Sequence, residues 1–397
     1  MNRLRMLLGF CAVFSLAAVV SGADTQYIVV NLHASEVNDA TFARIAALDS
    51  RDTHIRVGAA AIFSYFQEPH EELRERLVRF LRLSEQYDVP VVVQPDGEQW
   101  WGNRPDLWNW WDEDKPGYNP ENRNNVEWIG WGPDYAIKIA WRNWGQQIRV
   151  LPPPNLMSPV YREACDTELR RVVPIILDWW QALSEAKKDL LIAIKMGWES
   201  SLGVNAFYYP DGNRLLEEPA ANDPTYGLNT EQLPARGGVA VGYAAAKAIA
   251  LAEGGRLQEE HQVEIVRRHL EDLCRIAAEL GVPRQRLFTH VGGWRDGELL
   301  YDAALNPYAC PGWSFYRHAR HPEADTGLKR GLSVSDAPFW GAVEWFPQGA
   351  KSGDDWREAI RKTFRIAGCR YLCIYNWRSI ADNEDVLRSI EGFTRKK

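Results

Sequence analysis

Short apolar, β-branched segments alternate along this chain with longer amphipathic stretches, the rhythm of strands followed by helices. Eight segments read as strands: 27–32, 54–60, 89–94, 190–196, 287–291, 313–316, 341–346 and 371–376. The third, fourth and eighth are almost continuously apolar, as strands covered on both faces should be. Between them, 71–87, 259–280 and 355–366 carry helical spacing. In the first of these, Leu73, Leu77, Phe80, Leu81 and Leu83 recur on one face, which predicts packing against a sheet. Eight strand and helix units predict an α/β fold, a closed (β/α)8 TIM barrel. An open doubly wound sheet would carry a Gly-rich phosphate turn after an early strand, and none is present.

Two stretches interrupt the rhythm, 95–154 after the third strand and 200–238 after the fourth. Both follow strand C-termini, so a barrel puts them at its catalytic mouth. At the other end, Arg3 and Arg5 precede an apolar run over 7–20 and the small residues Ser21, Gly22 and Ala23. That pattern predicts a secretory signal over 1–23 and one barrel domain over 24–397, secreted or periplasmic and without membrane attachment once the signal is removed. The run is short for a bilayer span; an uncleaved anchor is the alternative reading.

Composition narrows the partners. The 397 residues carry a formal net charge of −7, against the surplus of Lys and Arg that phosphate neutralisation needs, so nucleic acid is excluded as the expected partner. Cys165, Cys274, Cys310, Cys369 and Cys373 lie beyond the signal, an odd set that leaves at least one thiol free or bonded to another chain. Cys369 and Cys373 are too far apart along one strand to bridge each other, which leaves a bridge from either to a distant Cys open. No Cys-x-x-Cys or His-x-x-x-His spacing is present, and no metal or other cofactor is expected. Oligomeric state is not legible.

The first interruption holds Trp100, Trp101, Trp108, Trp110, Trp111, Trp128, Trp131, Trp141 and Trp144, half of the 18 in the chain. Indole faces are broad, rigid and apolar, and suit the C–H face of a pyranose. Asn103, Asp106, Asn109 and Asn122 lie among them with groups that meet hydroxyls. The cluster predicts a sugar-binding loop; the competing reading is that each Trp anchors the loop to the barrel.

Two carboxylates stand out. Glu199 follows the fourth strand, where emergence at a barrel mouth partly desolvates a carboxyl and raises its pKa towards that of a general acid. Glu344 lies within the apolar seventh strand, so it needs an ion partner, such as Arg56 or Lys195, or a catalytic use. Around them the strand ends offer substrate contacts: Asp96, Glu98, Trp100 and Trp101 after the third, Trp198 and Asn205 at the fourth, and His290 and Trp294 at the fifth. Tyr316, Trp345, Asn376 and Trp377 complete the set. His290 reads equally well as a structural histidine.

Glutamates at the ends of strands four and seven of a barrel with aromatic loops resemble the clan A glycoside hydrolases. The resemblance implies an oligo- or polysaccharide substrate, Glu199 as acid/base and Glu344 as nucleophile, and retention of anomeric configuration. Clan members carry Asn before the acid/base, where this chain has Trp198. Two other readings stay open: a secreted carbohydrate-binding protein on an inactive barrel, and an inverting hydrolase pairing Asp96 or Glu98 with Glu199.

Overall fold

The computed structural model describes residues 25–138, 140–143, 147–202, 206–208, 239–292 and 297–396. Eight parallel strands close on themselves: β1 (Gln26–Leu32), β2 (Ile55–Ser64), β3 (Val91–Asp96), β4 (Leu191–Ser200), β5 (Leu287–Val291), β6 (Gly312–Phe315), β7 (Trp340–Trp345) and β8 (Cys369–Ile374). Around them lie α1 (Asp39–Ala47), α2 (His70–Tyr87), α3 (Pro159–Ala182), α4 (Glu259–Glu279), α5 (Thr326–Val334), α6 (Gly353–Arg365) and α7 (Glu384–Thr394). Between β5 and β6 the cover is a 3-10 helix, Leu299–Ala304. The fold is a (β/α)8 barrel, as the strand count predicts.

Strand alternation builds two apolar layers. Tyr27, Val29, Ala60, Val92, Phe288, Tyr371 and Cys373 fill the lumen. Their neighbours Ile28, Val30, Ala59, Val93, Leu372 and Ile374 face outward and pack with Leu77, Phe80 and Leu81 of α2 and with residues of the other helices. Burial of each large side chain contributes about 1.5–3 kcal/mol, so this alternation fixes the register that aims the strand ends.

The two interruptions are not separate loops. Ala140–Asn143 and Gln147–Val150 of the first form an antiparallel hairpin, and Ala206–Tyr208 of the second pairs with it and with Val239–Ala240. They thus meet in one four-stranded sheet. Most of the described Trp rings of the first interruption serve this packing. Trp101 Nε1 donates to Pro152 O at 3.1 Å, Trp108 to Trp101 O at 3.0 Å, Trp110 to Ile137 O at 3.0 Å and Trp128 to Arg123 O at 2.7 Å.

Glu127 is buried at the same junction. Its carboxylate accepts the backbone N–H of Ala244, at 3.2 Å, where a short helix, Tyr243–Ala248, begins after the second interruption. Burial outweighs these backbone donors and pushes its carboxyl up to about 8. A folded pKa above the unfolded one favours folding while the group is protonated, and that contribution is lost as pH rises from the ordinary carboxyl range towards 8. Glu127→Gln is therefore expected to be more stable than the parent at pH 8, by on the order of a few kcal/mol, and to melt higher, with the difference vanishing near pH 4. Thermal melts across that range check it.

Among the described residues all five cysteines are buried free thiols, so none of the bridges left open by the sequence is made there. No helix among the described residues is long and apolar enough to cross a membrane.

Candidate active site

Both glutamates reach the mouth because their strands break alternation. On β4, Met196 is level with Thr289 of β5 and Ser200 with Val291, so two extra residues bulge between those pairs. Gly197 takes a φ of +82° and Glu199 one of +48°, a conformation non-glycine residues adopt rarely. Side chains from β3 and the segment after it hold the bulge. Gln94 Nε2 donates to Gly197 O at 2.9 Å, Gln99 Nε2 donates to Trp198 O, and Ser200 Oγ lies 2.7 and 2.8 Å from the two oxygens of Glu98. On β7, Ala342 and Trp345 face outward while Val343 joins the lumen. The ladder to β6 slips between Trp313 and Ser314 and brings Glu344 level with Ser314. One added residue lets both Val343 and Glu344 face inward.

Gly197 is the hinge of the first bulge. A Cβ there would lie 2.4 Å from Ser200 Oγ and 2.6 Å from Leu270 Cδ2, on a backbone that L side chains disfavour. Gly197→Ala is expected to lower stability by about 1–3 kcal/mol. It should also slow any reaction that depends on the aim of Glu199, by up to about a hundredfold for a displacement near 1 Å. Denaturant melts and turnover measured on the same preparation separate the two effects.

Tyr316, just beyond β6, joins the two carboxylates. Its hydroxyl is 2.7 Å from Glu199 Oε1 and also contacts Glu344 Oε1. Two oxygens within hydrogen-bond reach of one atom lie no more than about 5.5 Å apart. A phenol has one proton to donate, so the second contact needs a proton from a carboxyl group. Burial first, and the charge of Glu199 second, push the Glu344 carboxyl up to about 8, against the lowering effects of Lys195 and of the Tyr316 hydrogen bond. One proton shared through Tyr316 satisfies all three groups, and its titration belongs to the pair.

His290 of β5 completes the wall. Its Nε2 is 3.0 Å from Ser314 Oγ and 3.8 Å from Glu344 Oε2. Burial, reinforced by the nearby Lys195, holds its pKa well below the ordinary value and keeps the ring neutral. Of the expected ion partners of Glu344, Arg56 pairs instead with Asp49 at 2.5 Å, whereas Lys195 donates to Val343 O at 3.0 Å while its charge still acts on Glu344.

Glu199, Glu344, Tyr316 and His290 are thus brought together, with Glu199 2% and Glu344 6% exposed. Asp96 is buried nearby, accepting from Ser64 Oγ at 3.3 Å and from Glu98 N at 3.1 Å. Trp198 and Asn376 are partly exposed, and Trp100 packs with Ile137, Ala140, Val150 and Val241. Four expected substrate contacts are corrected. Glu98 is committed to Ser200 and to His269, at 3.0 Å. Trp101 is buried edge-on against Tyr161. Trp345 faces away from the lumen, its Nε1 donating to Thr363 Oγ1 at 3.2 Å, and Trp377 is buried beneath Arg44, 5.3 Å from its ring centre. Asn205 and Trp294 lie outside the described residues.

Tyr375 was not among the sequence candidates. It is 39% exposed at the end of β8, its ring 6.5 Å from that of Tyr316 and perpendicular to it. Burial, then the charges of Glu344 and Glu199, push its hydroxyl up, which places it within their field. An aromatic residue following an apolar strand is the signal that could have found it, since Tyr316 sits alike after β6.

The molecule is thus a closed parallel barrel with two carboxylates joined through Tyr316 at the C-terminal ends of its strands. No family of known sequences matches the chain, and no curated protein does. Among solved structures it is similar to the catalytic domain of a β-amylase from Paenibacillus polymyxa, at 8% identity and a TM-score of 0.52, covering 94% of this chain and 98% of that one. It is also similar to a glycoside hydrolase family 5 enzyme from Prevotella bryantii, at 6% identity and a TM-score of 0.48, covering 94% and 97%. A ruminal family 26 endo-β-1,4-mannanase follows at 10% and 0.42, covering 94% of this chain and 63% of the other. Likeness at such identities speaks to the fold alone.

Proposed function

We propose that this protein is an exported glycoside hydrolase that cleaves an O-glycosidic bond of an oligo- or polysaccharide with retention, with Glu199 as acid/base and Glu344 as nucleophile. The observation that carries the reading is the single Tyr316 hydroxyl in contact with both carboxylates at the barrel mouth. Facing oxygens within about 5.5 Å favour direct attack over the wider gap, about 6.5–9.5 Å, that an inverting enzyme leaves for water. The signal pattern of the sequence agrees with export, and its net charge of −7 with a partner other than nucleic acid. Commitment of Glu98 to Ser200 and His269 weighs against the inverting reading that used it.

In the first step the ionised Glu344 carboxylate attacks the anomeric carbon while Glu199 gives its proton to the departing oxygen, leaving a glycosyl ester on Glu344. In the second step Glu199 takes a proton from water, whose oxygen attacks the same carbon, and the ester electrons return to Glu344. Only the pair holding one proton is competent. His290, neutral and bonded to Ser314, shapes the wall beside Glu344 without competing for that proton, and Tyr375 offers an exposed ring to the sugar.

Release of reducing sugar from a broad glycan panel tests the reading, and proton NMR of the first product tests retention. Cleavage with the starting anomer formed first is expected. Binding without cleavage across the panel would favour the carbohydrate-binding alternative. The last proton of the pair leaves near pH 8, so kcat/KM should fall above about that pH.

A further inference from the structure

We propose that Lys195 is a positioning residue for the carboxylate pair: its ammonium ties β4 to β7 across the lumen and supplies the positive charge against which one of the two glutamates ionises. The proposal rests on the reading of Glu199 and Glu344 as the reacting groups.

Strands β4 and β7 are not neighbours in the barrel, since β5 and β6 lie between them on the shorter side. Lys195 nevertheless joins them directly, because its Nζ donates to Val343 O at 3.0 Å from a side chain only 2% exposed. The bond leaves β4 shortly before Glu199 and ends on the residue before Glu344. The two bulged strands are therefore fastened twice, below by Lys195 and above by Tyr316. Burial pulls the Lys195 pKa below its ordinary value, so the ammonium persists only as far as hydrogen bonds and opposite charge compensate it.

The groups facing Lys195 identify that charge. They are Glu199 on its own strand, Asp96 on β3, His290 on β5, Glu344 on β7 and Cys373 on β8, and Tyr316 after β6 bonds two of them. Cys373 is pushed up to about 12 by burial, Tyr316 well above its ordinary range and His290 well below its own, so all three are neutral near pH 7. Compensation falls to the three carboxylates. Because Lys195 ends beside Glu344, removing its charge should leave that carboxyl with burial and the charge of Glu199, both of which favour the proton.

The test is a pH titration of carbon-13-labelled glutamate side chains by NMR in the parent, Lys195→Met and Lys195→Gln, with Glu344→Gln assigning the Glu344 signal. Met keeps the apolar stem and removes the charge. In either folded variant the Glu344 midpoint is expected to rise by about one unit or more. The alkaline limb of kcat/KM should move up with it, which packing alone would not produce. A folded variant with an unmoved midpoint overturns the proposal. If neither variant folds, nitrogen-15 NMR of the lysine side chains in the parent decides: a charged Lys195 at pH 7 supports the tie and a neutral amine overturns it. These readings need no turnover. Activity surviving in Glu199→Gln and Glu344→Gln would end the hydrolase reading while leaving the Lys195 result legible.

Discussion

Glu344→Gln is expected to lower turnover by about 10⁴- to 10⁶-fold, the largest single loss in the molecule. An amide matches the carboxylate in shape, so Tyr316 keeps an oxygen to contact. It cannot, however, form the ester on which the proposed double displacement depends. The fold should not suffer. Glu344 is buried with its carboxyl pushed up, so ionisation in the folded state works against stability as pH rises towards 8, and the variant should melt at or above the parent temperature at neutral pH. Steady-state kinetics beside a thermal melt makes the comparison. A nucleophile also predicts rescue: Glu344→Gly with added azide should yield a glycosyl azide of inverted configuration, because the small anion attacks from the vacated side. Turnover within tenfold of the parent would remove Glu344 from the mechanism.

The outline of this molecule was legible because barrels are written in period. The third, fourth and eighth strands are apolar on both faces, and α2 carries its stripe of Leu73, Leu77, Phe80 and Leu81 against them. The sequence expectation placed the end of the fourth strand at 196, whereas β4 runs to Ser200. Positive φ angles at Gly197 and Glu199 carry no apolar pattern, and only Gly197 hints at one. The bulge at Val343 is likewise silent: one apolar residue beside a carboxylate looks the same whether both face inward or on opposite sides. The sheet joining the two interruptions was missed because strands of two to four residues are too short to show a period.

Aromatic residues mislead for a physical reason. Indole is the largest side chain and is enriched both in sugar clefts and at the roots of long loops, so identity does not separate the roles. Trp345 shows how alternation could have done so. If Glu344 acts in the barrel, its immediate neighbour on the strand faces the other way, towards α6. Trp377 and Trp101 carry no such signal, because each follows a strand end where alternation has stopped. Tyr316 was placed at the mouth from the sequence, but its contact with both glutamates depends on two bulges meeting across the barrel and could not be read.

Glu199→Gln is expected to lower turnover of a glycan by about 10²- to 10⁴-fold, and the loss should depend on what departs. A sugar alkoxide is a poor leaving group and needs the proton that Glu199 supplies, so the full loss appears there. A dinitrophenyl glycoside of the same sugar leaves as a stabilised phenolate, so the first step should stay near the parent rate. The second step still lacks its base, because an amide cannot take the proton from water. The variant should therefore release one equivalent of dinitrophenol in a burst and then stall as a glycosyl ester on Glu344, visible as an adduct by intact-protein mass spectrometry. Azide should accelerate the stalled step, since it needs no base, and should yield a product of retained configuration. A burst with an adduct assigns Glu199 the acid/base role and Glu344 the nucleophile in one experiment. An equal loss on both substrates, without an adduct, would make Glu199 a structural residue held in an unusual backbone and would return the search for the acid to Asp96.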